Sequence, residues 1–160
     1  MKHTFIIVEG CDSTGKSWLA KELSKALYLP VINRLSPKPT IFEECISTLW
    51  LSQPFIIDRF YLSELVYGKV MRGNVRLTSQ EVEEIETKCN SINTLNIYCY
   101  DTVEAITNRF ENNFEKQYPK VKDVAPIITE FNKELVKSGL IWHGYKVGDS
   151  VEDLIKLYNE

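Results

Sequence analysis

Residues Gly10-Cys11-Asp12-Ser13-Thr14-Gly15-Lys16-Ser17 fit the pattern G-x-x-x-x-G-K-[ST], a glycine-rich loop whose backbone N–H groups wrap phosphates. The flanks fit as well. Phe5-Ile6-Ile7-Val8 precede the loop as a short apolar run, and a helical pattern follows at once. Strand, loop and helix is the order this chemistry needs, because the helix N-terminus adds the positive end of its dipole to the cradle. In this reading Gly10, Asp12, Ser13, Thr14 and Gly15 present backbone to the phosphates and Lys16 reaches the outer ones. The Ser17 hydroxyl sits on Mg²⁺. A plain turn with a solvated lysine is the alternative, and it leaves the spacing of two glycines, Lys and Ser unexplained.

Outward from the loop, the chain alternates between two periodicities. Residues 3–9 read as a buried strand. A helix follows from Lys16 to Tyr28, with Leu19, Leu23, Ala26 and Leu27 on one face, and Pro30 stops it. Val31-Ile32 make a short strand, and Pro37 to Pro39 a stiff loop. Ile41, Cys45, Ile46 and Leu49 mark another helix, and Phe55-Ile56-Ile57-Asp58 the next strand. A helix is predicted from Tyr61 to Val70, and Thr78-x-x-Glu81 is a capping box opening another. Leu95 to Tyr100 reads as a strand, followed by a helical face of Val103, Ile106, Phe110 and Phe114. Residues 111–122 are polar and broken by Pro119, which suits a short lid. Asp123 can cap the next helix, with Pro126 in its first turn, and Gly139 closes it. Leu140 to Val147 is the last strand, and Asp149-x-x-Glu152 caps the final helix. Such alternation predicts an α/β fold of the P-loop NTPase kind, with a five-stranded parallel sheet covered by helices on both faces. One domain over residues 1–160 is expected.

At 44% hydrophobic and 26% charged residues, the composition is that of an ordinary globular protein. A net charge of -3 argues against a broad nucleic-acid surface. The four cysteines, Cys11, Cys45, Cys89 and Cys99, form no C-x-x-C pair, which excludes zinc ribbons and points to reduced thiols. Cys11 reads as a small filler residue within the loop. No signal peptide or membrane-length apolar stretch is present, so a cytoplasmic protein without membrane partners is expected.

Phosphoryl transfer needs positioning, Mg²⁺ and positive charge more than covalent help. Candidates therefore sit at strand C-terminal ends, where ligands bind in open α/β sheets. Asp58-Arg59 closes a buried strand, so the acid could hold Mg²⁺ or take a proton and the arginine could neutralise phosphate. A structural ion pair or a strand cap is the alternative, and the apolar run ending right at the pair favours function. Arg34 also follows a strand and could clamp an acceptor phosphate bidentately. Arg109 borders the lid segment and could reach a phosphate or stack on a base. Lys116, Lys120 and Lys122 read mainly as a solvated face, and His3 and His143 receive no role.

Glu9-Gly10-Cys11-Asp12-Ser13-Thr14-Gly15-Lys16-Ser17 resembles the E-G-x-D-x-x-G-K-[ST] opening of thymidylate kinases and their deoxynucleoside kinase relatives. Asp58-Arg59-Phe60 resembles their D-R-Y signature, and Ser63 to Gly68 is similar to the S-x-x-A-Y-Q segment that follows. The resemblance implies ATP and Mg²⁺ as donor and a nucleoside monophosphate as acceptor. It implies Asp12 near the acceptor sugar, Arg34 on the acceptor phosphate, and Asp58 and Arg59 serving metal and phosphates. It further implies Arg109 on the donor and Tyr67 beside the acceptor. The chain departs from the pattern in its compressed segment after the second strand, in Gly68 where the family has Gln, and in a lid without a second Arg. Related kinases are often dimers, and the helix bearing Val82, Ile85 and Cys89 could serve a core or a homodimer interface.

Four functions compete for these residues. The leading one is phosphorylation of a deoxynucleoside monophosphate. A deoxynucleoside kinase would use Asp58 as general base on a hydroxyl. A kinase acting on a nucleic-acid end or a modified base sits poorly with the acidic charge balance. A regulatory ATPase or switch is the fourth; a GTPase would want N-K-x-D, and Asn132-Lys133-Glu134-Leu135 does not supply it.

Overall fold

In the computed structural model, which describes residues 3–33, 40–112 and 119–160, the central strand β1 (Ile6–Gly10) is buried along its whole length. It lies between β3 (Ile56–Asp58) and β4 (Leu95–Cys99). β2 (Val31–Asn33) flanks β3, and β5 (Trp142–Tyr145) flanks β4. The order is β2-β3-β1-β4-β5, and every pairing is parallel. Strand residues alternate between the two faces. Ile7, Ile57 and Tyr98 belong to one core, together with Cys45 and Leu49 of α2 (Ile41–Leu49), Ile85 and Cys89 of α4 (Ser79–Ser91), and Phe131 of α6 (Val124–Lys137). That core also takes Tyr61 and Val66 of α3 (Tyr61–Tyr67) and Ile106 and Phe110 of α5 (Val103–Glu111). Ile6, Val8, Ile97 and Tyr145 form the opposite core with α1 (Lys16–Leu27) and α7 (Val151–Asn159). Parallel strands buried on both faces need this two-sided cover, which is why they read as continuous apolar runs.

The differences from the sequence expectations are local. Ala20 takes the buried place assigned to Ala26 in α1, which is exposed. The helix after β3 stops at Tyr67 and continues as one π-helical turn, Gly68–Arg72, closed by Gly73 at φ 66°. A Cβ on Gly68 would lie 2.9 Å from Asn74 O and close to the Arg72 guanidinium, so glycine lets the turn fold back on itself. Asp123 is the N-cap residue of α6, but its side chain makes no capping bond there; its carboxylate accepts the Lys120 N–H at 2.9 Å in the preceding turn Val121–Asp123. Asp149 does not cap α7 either. It accepts the Lys146 N–H at 2.7 Å, which turns the chain off the sheet and ends β5 before Val147, while Ser150 caps the helix through the Asp153 N–H. The capping box of Thr78 and Glu81 is present. Ile85 and Cys89 of that helix are buried in the core. Among the described residues no helix is long and apolar enough to cross a membrane.

Candidate functional site

The C-terminal ends of β1, β3 and β4 open side by side, and the loop from Gly10 to Ser17 leaves from the middle one. Its glycines have specific reasons. A Cβ on Gly10 (φ 143°) would stand 2.2 Å from the Cys99 carbonyl oxygen, so only glycine lets β1 turn this close to β4. Gly15 is the N-cap of α1 at φ 84°, and a Cβ there would meet Val147 at 2.9 Å. The loop closes on the Cys11 carbonyl, which accepts the Thr14 hydroxyl at 2.6 Å and the Lys16 ammonium at 2.7 Å. Burial pushes the Lys16 pKa down and nearby Arg59 adds to that, against the pull of Asp12 and Asp58. Cys11 is buried, and its thiol is pushed up to about 11, which suits a filler rather than a reactive group.

Two residues from β3 and its turn complete the loop's surroundings. Asp58 Oδ2 accepts the Ser17 hydroxyl at 2.7 Å. Its other oxygen, Oδ1, is buried and has no hydrogen-bond partner among the described residues. Buried carboxylate oxygens are normally satisfied, so an orphan beside a loop hydroxyl fits a cation ligand. Among the described residues no group of three or more His, Cys, Asp or Glu could hold a metal ion. Mg²⁺ does not need one, since it takes one or two protein oxygens and completes its shell with phosphates and water. Arg59 sits at φ 69°, in the sparsely populated left-handed region, and its guanidinium forms an ion pair with Asp12 Oδ1. It also lies 5.3 Å above the Tyr67 ring. The Tyr67 hydroxyl donates to Asp12 Oδ2 at 2.7 Å and accepts the Asp12 N–H at 3.2 Å. Burial and then Asp12 hold the Tyr67 pKa well above the usual phenol range. Burial pushes Arg59 down, but Asp12, Tyr67, Glu9 and Asp58 outweigh it and the shift is upward.

On the other flank, Arg109 of α5 donates to the Ser13 carbonyl at 2.8 Å and to Asp101 Oδ2 at 2.6 Å. Lys146 approaches the same carboxylate at 3.5 Å. The sequence-derived residues Asp12, Lys16, Ser17, Asp58, Arg59, Tyr67 and Arg109 thus meet around one loop. Arg34 and Lys116 lie outside the described residues, as does half of the lid segment; Lys120 and Lys122 are exposed. His3 bonds the Asn93 carbonyl, away from the loop. The sequence gives no role to Glu9 or Asp101. Asp101 had a usable signal, an acid just past a strand end eight residues before Arg109. Glu9 had only its place as first residue of the motif.

No protein-family profile matches the chain. It is 29% identical over 158 residues to the SPbeta prophage-derived protein YorR of Bacillus subtilis, covering 95% of this chain and 94% of that protein. The crystal structure of YorR in complex with phosphorylated GDP aligns with a TM-score of 0.84 at 28% identity, over 96% of this chain and 95% of that one. Deoxyadenosine kinase from M. mycoides aligns at 0.59 with 15% identity, over 96% and 95% of the two chains. Thymidylate kinase from Candida albicans aligns at 0.59 with 16% identity, over 98% and 89%. The last two share a fold with this chain, and they differ in what they phosphorylate, so the likeness does not single out the thymidylate kinase branch. The fold is that of the P-loop kinases, and the neighbours with a named activity among these three are nucleotide and nucleoside kinases.

Proposed function

We propose that this chain is an ATP- and Mg²⁺-dependent kinase that converts a deoxynucleoside monophosphate to the diphosphate. The observation that supports it best is the Ser17 hydroxyl bonded to Asp58 at 2.7 Å, with the second, buried oxygen of Asp58 unpartnered among the described residues, beside the lysine-bearing loop. Ser17 and Asp58 are the residues that would hold Mg²⁺, which when bound neutralises charge on the transferring phosphoryl group. The loop amides and Lys16 bind the donor phosphates, and Arg109 holds the donor side of the loop through Ser13. Arg59 offers its remaining N–H groups to the charge that builds up in transit. An acceptor phosphate oxygen forms the new P–O bond as the bond from the γ-phosphorus to the β–γ bridging oxygen breaks. ADP leaves with that bridging oxygen.

A deoxynucleoside kinase is the second reading, favoured by the same Asp58 Oδ1, whose open lone pairs could take a hydroxyl proton. One assay separates the two: ATP and Mg²⁺ with a panel of nucleosides and deoxynucleoside monophosphates, guanine included because YorR carries a guanine nucleotide, followed by product identification. Turnover of no monophosphate sinks the first reading. Substituting Arg34 with Ala sharpens the result, because a monophosphate kinase should lose about 2 kcal/mol of acceptor affinity with a charged hydrogen bond. A nucleoside kinase should keep its acceptor KM.

A further inference from the structure

Glu9 is the first residue of the loop motif, and it is fully buried at 0% exposure. Its Oε1 accepts the Phe60 N–H at 2.8 Å and the Ser63 N–H at 3.0 Å, and its Oε2 accepts the Ser63 hydroxyl at 2.5 Å. Phe60 is the N-cap of α3 and provides no side-chain cap of its own. The N–H groups of a helix N-cap and of its third residue are the two that a capping box satisfies. Here one carboxylate, more than fifty residues earlier in the chain, satisfies both. Phe60 also follows Arg59, whose own N–H donates to the Val8 carbonyl at 3.0 Å. Two successive residues of β1 therefore pin two successive peptide N–H groups of the Asp58–Phe60 turn. That pinning holds Arg59 at φ 69°, a conformation that persists in a non-glycine residue only when its surroundings over-determine it.

We propose that Glu9 is a positioning residue of the kinase site: by the geometry of three accepted hydrogen bonds it fixes the Asp58–Phe60 turn, and so aims Asp58 at Ser17 and Arg59 at Asp12. Fully buried, it acts through the turn, and its charge is not what acts. Burial raises the Glu9 pKa against the hydrogen bonds from Ser63 and Phe60 and the nearby Lys16, so the fold does not favour that charge. The inference rests on the kinase reading for its effect on turnover.

The test uses Glu9→Gln, Glu9→Ala and Ser63→Ala in the full chain. Glutamine keeps an oxygen for both N–H groups, and its amide can donate to the Ser63 hydroxyl. Glu9→Gln should hold kcat within ~5-fold of the parent, and Glu9→Ala should lower kcat by ~50-fold or more with donor KM within ~3-fold. Amide exchange at Phe60 and Ser63 should accelerate at least ~10-fold in the alanine variant and stay near the parent in the glutamine one. A glutamine variant as inactive as the alanine one overturns the proposal, because charge or direct contact would then be the agent. So does an alanine variant that loses thermal stability while keeping kcat. If Glu9→Ala does not fold, Ser63→Ala decides, with a several-fold fall in kcat expected at unchanged donor KM and an unchanged kcat overturning. A parent chain that phosphorylates nothing on the panel removes the kinase reading alone, since the exchange measurement still reports whether Glu9 holds the turn.

Discussion

β3 and β4 flank the central strand, and each delivers an arginine to the same loop by a different route. Arg59 stands in the turn itself, one residue past β3, and pairs with the Asp12 side chain. Arg109 stands near the end of α5 and reaches back to the Ser13 carbonyl and to Asp101, which lies just past β4. The Arg59 side chain is 27% exposed and that of Arg109 is 39% exposed. The first guanidinium is aimed by a left-handed backbone fixed at both peptide N–H groups, the second by a regular helix whose Arg109 bonds the Ser13 carbonyl and the Asp101 carboxylate. A cation held by backbone cannot adapt, so it should matter most where geometry is strictest, in the transfer step. A cation carried on a helix, bonded to the Ser13 carbonyl of the loop and to Asp101, should matter more for binding the donor.

The largest expected effect follows from that contrast. Arg59→Ala should lower kcat by ~10²–10³-fold, about 3–4 kcal/mol, on the scale of losing one preorganised donor to transition-state charge. Arg59→Lys should recover little, because an ammonium can pair with Asp12 but cannot present a fork while lying over Tyr67. Arg109→Ala should instead raise donor KM by about 10-fold while kcat changes only a few-fold. The figure is at the low end for a charged hydrogen bond, since the side chain is more than a third exposed. Steady-state kinetics with the donor varied would measure both, and a larger kcat loss for Arg109→Ala would reverse the comparison.

The two routes also differ in how far the sequence discloses them. Arg59 is legible because the apolar run Phe55-Ile56-Ile57 ends directly on Asp58-Arg59, and strand ends in this fold face ligand. The loop is legible because its glycines sit where only glycine fits. The strand–helix alternation discloses the α/β class, and the β2-β3-β1-β4-β5 order follows from pairings between segments far apart in the chain. What the sequence hides is carboxylate traffic. The family resemblance places Asp12 near an acceptor sugar, but nothing around it in the chain shows that Arg59 and Tyr67, 47 and 55 positions later, bond to it. Asp149 fits a capping pattern as well as Ser150 does, and only the bond from Lys146 N–H decides between them. The π-helical turn at Gly68–Arg72 had one visible sign, the glycine.

A smaller effect tests whether Asp101 works through Arg109. Asp101→Asn keeps an acceptor for the Thr102 N–H and weakens only the charged contacts to Arg109 and Lys146. Donor KM should rise by about 3-fold, within the range of partly exposed ion pairs. Because both substitutions disturb one contact, Asp101→Asn combined with Arg109→Ala should bind donor no worse than Arg109→Ala alone. Additive losses would mean that Asp101 acts on the site by some path other than Arg109.

The smallest effect is one of stability, and its sign separates the two flanks again. Burial alone would raise the Asp101 pKa, but the Thr102 N–H, Arg109 and Lys146 outweigh it, and the group lies below its ordinary value of 3.8. A carboxyl whose folded pKa is depressed stabilises the fold above its unfolded pKa, and that stabilisation is lost as pH falls through the folded pKa. Glu9, on the Arg59 side, is shifted the other way by burial, so protonation on acidification relieves a cost instead of removing a gain. Thermal melts of the parent and Asp101→Asn should therefore differ by about 2 °C near neutral pH. The difference should close below about pH 4, the unfolded aspartate range. Glu9→Gln should show the reverse trend, gaining on the parent toward neutral pH, because its amide never bears the buried charge. Parallel melting curves for parent and Asp101→Asn across that acid window would show that Asp101 holds Arg109 by position alone, and the two arginines would then be held by the same principle.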